Sequence, residues 1–171
     1  MAMRRGAGVL VLGLAAYAFG CGGQSDGDGN AADFGAEYAS YCKKMADREA
    51  KCGDTPDEAA CVARKSCFES HWRTSALLSA FSCDAARDCS SGDDECYDQA
   101  GAKVSSPALS SYKSACTNWV TQCNGTNDMC THGAGLLSDA TLSELATCMQ
   151  KPCAEAATCV EAVMAKVDCW G

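Results

Sequence analysis

The sequence predicts an all-α fold: short helices in two diverged tandem repeats stapled by disulfides, preceded by a signal peptide and a flexible tether. Three observations carry this. Apolar residues recur at three- and four-residue steps along most of the chain, and no stretch alternates as a strand would. Fifteen of the 171 residues are cysteine, the density of a disulfide scaffold that matures outside the reducing cytosol. The cysteines fall in two similar cadences, one in each half of the chain.

Residues 1–20 read as a targeting segment. Arg4 and Arg5 supply positive charge, and the 11 residues Val9 to Phe19 form an apolar run of the length expected for a signal peptide. It is too short for a transmembrane helix, which needs about 20 apolar residues. Two cleavage sites compete. Ala16-Tyr17-Ala18 suits an ordinary signal peptidase and would release a soluble protein starting at Phe19. Ala18-Phe19-Gly20-Cys21 resembles the lipobox of bacterial lipoproteins, which implies cleavage before Cys21 and lipidation of its thiol. That match departs from the usual pattern at Ala18, where Leu is common, and at Phe19, where a small residue is.

Parity favours the second site, since an odd cysteine in an exported chain requires an explanation. Removing Cys21 by lipidation leaves 14, enough for seven disulfides. Residues 21–32 continue with Gly, Asp, Ser and Asn and no apolar anchor, as a flexible tether would.

Loss of the leader also removes two arginines and leaves 12 basic against 22 acidic residues, a net charge of −10. No basic stripe exists for nucleic acid and no polybasic patch for anionic lipid. Only 12 Phe, Tyr and Trp occur in the chain, so its core is thin and cross-links must restrict the unfolded chain.

The helices follow in order. Phe34, Tyr38, Tyr41, Met45 and Cys52 share a stripe over 33–52, with Gly53 as its stop. Thr55-Pro56-Asp57-Glu58 reads as a capping box with proline at the first helical position. Leu77, Leu78 and Phe81 mark one short helix, and Cys96, Tyr97, Ala100 and Val104 another. Ser106-Pro107 opens the cleanest stripe, Leu109, Tyr112, Cys116, Trp119, Val120 and Cys123, which Asn124-Gly125 ends. Thr141 to Glu144 reads as a further capping box, and a last helix starts near Pro152 with Ala157, Val160, Met164 and Val167 on its face.

The repeats are residues 33–105 and 106–171. Tyr38 precedes Cys42 by four residues as Tyr112 precedes Cys116, and Leu77 precedes Cys83 by six as Leu142 precedes Cys148. This matches Cys42, Cys52, Cys61, Cys83, Cys89 and Cys96 with Cys116, Cys123, Cys130, Cys148, Cys153 and Cys159. Copies should pair their six cysteines in the same order, leaving Cys67 for Cys169. Cys116 and Cys123 lie two helical turns apart and cannot bond each other, nor can Cys42 and Cys52 on an unbroken helix. The early cysteine of each half is expected to meet one of the last three, pinning first helix to last.

Leader, tether and cysteine cadence together make the chain similar to the cysteine-rich helical lipoproteins of gliding, predatory Gram-negative bacteria. That resemblance implies an outer-membrane lipoprotein and transfers no residue-level activity.

Other chemistry finds less support. Zinc sites need C-x2-4-C clusters, and the nearest spacing is Cys148-x4-Cys153. No C-x-x-C exists for redox catalysis. His71 and His132 lack a partner motif that would make either a catalytic base. Asp26, Asp28, Asn30 and Glu37 match positions 1, 3, 5 and 12 of an EF-hand calcium loop, but Ala31 stands where the turn needs Gly. Trp119 reads as core, whereas Trp72 and Trp170 fall near element ends.

The expectation is therefore a lipid-anchored envelope protein with no cofactor or metal, acting as a structural or interaction module rather than an enzyme. Its partners would be the membrane, through Cys21, and a protein in the envelope or outside the cell, not nucleic acid. The rival readings are a secreted enzyme or inhibitor with a loop-built site, and a calcium-dependent adhesion module.

Overall fold

The computed structural model describes residues 31–89, 94–124, 128–131 and 133–170. The leader, Cys21, most of the tether and His132 lie outside the described residues. The described elements are nine α-helices and one 3₁₀ turn: α1 (Ala31–Cys52), α2 (Glu58–Ala63), α3 (Lys65–His71), α4 (Thr74–Asp84), α5 (Asp94–Ala102), α6 (Pro107–Cys123), α7 (Asp128–Thr131), the 3₁₀ turn Ala134–Leu136, α8 (Asp139–Cys148) and α9 (Cys153–Val167). Among the described residues there is no strand, only an isolated antiparallel bridge between Trp72 and Leu137. The all-α class stands.

Local signals set several helix ends. Gly53, at φ 87°, ends α1 in the left-handed region that glycine enters without steric cost. Ser106 caps α6 by accepting from the Leu109 N–H, and Pro107 opens the helix. Asn124 closes it at φ 52°.

Two expected capping boxes are corrected. Asp57, not Thr55, caps α2, its carboxylate accepting from the Ala60 N–H at 2.8 Å; a negative group there also meets the positive helix end. Ser138 caps α8 by accepting from the Thr141 N–H, which starts the helix three residues early and puts Leu142 and Leu145 on its buried face. On α9 the buried stripe is Ala156, Val160, Val163 and Val167, while Met164 is exposed. Val104 falls beyond the end of α5.

The core divides by chemistry as well as by place. In the first half Phe34, Tyr38, Tyr41, Phe68, Leu77 and Phe81 pack together. Tyr41 stacks on Phe81 at 4.1 Å between centroids, and Phe68 meets Phe81 edge to face. The second half packs Leu109, Tyr112, Leu142, Leu145, Val160, Val163 and Val167, a mostly aliphatic set. Ala76, Ala80, Ala100 and Leu136 form a small seam. Trp72 packs against all three groups and donates its indole N–H to the Val167 carbonyl. Trp119, half-buried, packs on the second core.

All fourteen cysteines after Cys21 are paired: Cys42–Cys61, Cys52–Cys89, Cys83–Cys96, Cys116–Cys130, Cys123–Cys153, Cys148–Cys159 and Cys67–Cys169. Their Cα separations run from 5.4 to 5.6 Å, inside the range a disulfide spans without backbone movement. Numbered within each half, the six pair one to three, two to five and four to six in both. Cys67 and Cys169 link the halves. The expectation that the first cysteine meets one of the last three is overturned, because α1 and α6 are immediately followed by α2 and α7. Those short helices fold back and present Cys61 and Cys130 first. It is the second cysteine, Cys52 or Cys123, that reaches forward.

Candidate functional site

A cleft of about 310 Å³ opens in the first half between α1 and α2. One α1 face contributes Tyr41, Met45 and Glu49, at the four-residue spacing that stacks side chains along a helix. Opposite stand Asp57, Ala60 and Arg64, around α2. The Cys42–Cys61 disulfide, whose two cysteines both line the cleft, joins the α1 wall to the α2 wall. Tyr97 and Trp170 complete the rim.

Trp170 reaches this place from the far end of the chain. Cys169 is buried and bonded to Cys67 on α3, and the indole then packs edge-on against Phe68, Phe81 and Tyr97. It is 42% exposed, a wall rather than a core residue.

Asp84, on the cleft lining, centres a largely buried polar group. Arg48 donates to the Asp84 carboxylate at 2.9 Å and to its backbone carbonyl at 3.2 Å. The Tyr41 hydroxyl donates to the other carboxylate oxygen at 3.3 Å. Burial pushes the Tyr41 phenol well above its ordinary range, and the neighbouring Tyr97 and Asp84 add to the shift. Burial likewise pushes Tyr38 up to about 12, partly offset by the Arg64 guanidinium. The Tyr38 hydroxyl donates to the Cys61 carbonyl at 2.8 Å. These hydroxyls stay protonated at neutral pH and hold the walls in place.

The second half lacks this polar group. Counted from the first and fourth cysteines of each half, Ala115 stands for Tyr41 and Met149 for Asp84, while Arg48 falls on Gln122 from the first cysteine and on Trp119 from the second. Met149 is buried in the aliphatic core with Ala115 against it. The Arg48–Asp84 pair and the aromatic walls lie in the first half.

The other candidate residues are distributed differently. The cysteines serve as cross-links, and no group of three His, Cys, Asp or Glu placed to hold a metal occurs among the described residues. His71 ends α3, where its carbonyl accepts from the Ser138 N–H and the Thr141 hydroxyl. Of the calcium spacing, Asp26, Asp28 and Asn30 lie outside the described residues, while Ala31 to Glu37 are helical. Positions six to twelve therefore form a helix where an EF-hand needs a turning loop. Sequence reading missed the cleft, since Tyr41 and Met45 register in the sequence only as part of an apolar stripe.

The fold and cleft define an all-α, disulfide-stapled protein with an aromatic-walled surface site. No protein-family model, curated protein or solved structure matches the chain.

Proposed function

We propose that this is an exported cell-envelope protein, anchored to the outer membrane by lipid on Cys21, that works as an interaction module. Its body reads as a tandem duplication whose first copy carries the cleft. The observation that carries the reading is complete pairing of the fourteen cysteines after Cys21. Cys21 then has no partner within the chain. Lipidation accounts for it, and a tether ending where α1 begins at Ala31 spaces the body from the bilayer. Duplication is supported by the shared pairing order and by Tyr38 and Tyr112, Leu77 and Leu142, which are buried at matched positions.

Mass spectrometry of native protein tests the anchor. The expected N-terminal peptide begins at Cys21 with acyl groups attached, and the intact mass shows seven disulfides. Two or more chains should give stable membrane partition where one would not, and Cys21→Ser should abolish it. An unmodified N-terminus at Phe19 would refute the anchor and favour a soluble secreted protein.

A further inference from the structure

We propose that the cleft between α1 and α2 binds a small zwitterion, with an ammonium and a carboxylate on one compact body, as in a free α-amino acid. It deepens the module reading by naming what its site takes, and it does not depend on the lipid.

The charges are the main argument. Among the described residues, the buried and half-buried Asp, Glu, Lys and Arg side chains have partners except two, the half-buried Glu49 and Arg64. Arg48 and Asp84 hold each other, Lys65 holds Glu69, Arg73 holds Asp139 and Arg87 holds Glu95. Glu49 and Arg64 have no such ion pair or side-chain hydrogen bond, and both line the same cleft. Both side chains keep contact with water, so each is free to exchange that water for a charged group of a ligand. Two of opposite sign on one cleft match a ligand carrying both complements.

The walls suit the rest of such a molecule. Half-buried Met45 offers apolar surface, and the aromatic side chains of Tyr97 and Trp170 line the same cleft. The Tyr38 and Tyr41 hydroxyls are occupied by Cys61 and Asp84, which leaves the charged residues to orient the ligand. A volume of about 310 Å³ sits at the small end of ligand sites, which run from roughly 300 to 1,000 Å³. A simple anion would face Glu49 and Asp57, and a simple cation would face Arg64. A zwitterion offers a complement to each sign.

Calorimetry and tryptophan fluorescence on the oxidised protein test this with the twenty standard amino acids, the dipeptide alanylalanine, leucine methyl ester and N-acetylleucine. At least one free amino acid should bind one to one, and its ester or N-acetyl derivative should bind at least about tenfold more weakly. Glu49→Gln and Arg64→Gln should each cost about tenfold or more in affinity, with unchanged helical signal and melting. Tighter binding of alanylalanine than of any amino acid would keep the zwitterion and assign it to peptides. The proposal is overturned if nothing saturates up to about 10 mM, if both variants bind as the parent does, or if the ester binds as well as the amino acid. A lipidated protein that binds none of these probes leaves the anchor standing and removes only the ligand.

Discussion

Trp72 and Leu137 face each other across an antiparallel bridge, and each stands eleven residues before a cysteine of the same rank, Cys83 or Cys148. The flanking hydrogen bonds are reciprocal: the Arg73 N–H donates to the Leu136 carbonyl at 2.7 Å, and the Ser138 N–H donates to the His71 carbonyl at 2.9 Å. Arg73 and Ser138 are themselves the N-cap residues of α4 and α8. The two hydrogen bonds join the segments that lead into α4 and α8. The exchange also satisfies backbone groups that would otherwise be stranded under Trp72.

Trp72→Ala should destabilise the protein by about 3–5 kcal/mol, the usual cost of deleting a large packed ring. Trp119→Ala, which affects one core only, should cost clearly less. Denaturant unfolding of the oxidised variants measures both, and equal losses would mean Trp72 is not the junction.

Gly135 tests the same seam from its other side. A Cβ there would collide with the Gly101 carbonyl, backbone against backbone, so neither can swing away. Gly135→Ala should cost about 2–3 kcal/mol through forced separation of α5 from the 3₁₀ turn. At Gly101 a Cβ would lie 3.5 Å from Leu136, ordinary contact, so Gly101→Ala should be the milder change in a melting comparison.

The Arg48–Asp84 pair predicts a non-additive cycle. Arg48→Gln strands a carboxylate only 4% exposed and should destabilise by about 2–4 kcal/mol. Adding Asp84→Met should recover part of that, because no buried charge remains although the Tyr41 hydroxyl loses its acceptor. If the double variant loses the sum of the single losses, the two positions are not coupled as described.

Alkaline pH should unfold the protein in a defined window. Burial raises Tyr38 and Tyr112 to about 12 and Tyr41 also upward, whereas the unfolded phenol ionises near 10. Above that value the unfolded chain loses protons that the folded one retains, so the stabilisation present below pH 10 is lost as pH rises towards 12. Tyrosinate absorbance from these three residues should appear together with loss of helical circular dichroism. Ionisation well before helix loss would show the rings to be accessible.

What the sequence determined by itself was local or countable. Helical periodicity, the Ser106-Pro107 start and the Gly53 stop depend on neighbouring residues, so they were legible. The pairing of Cys67 with Cys169 followed from parity once six cysteines in each half were matched. Tertiary structure decided the rest. Asp57 rather than Thr55 caps α2, two residues further on, where its carboxylate meets the Ala60 N–H. Cys42 met Cys61 because α2 folds back along α1, a direction no spacing encodes. The cleft arose from residues as far apart as Glu49 and Trp170, brought together by a 102-residue disulfide span. Which polar side chains remain without partners, as Glu49 and Arg64 do, is a property of three-dimensional proximity, and only the packed chain could reveal it.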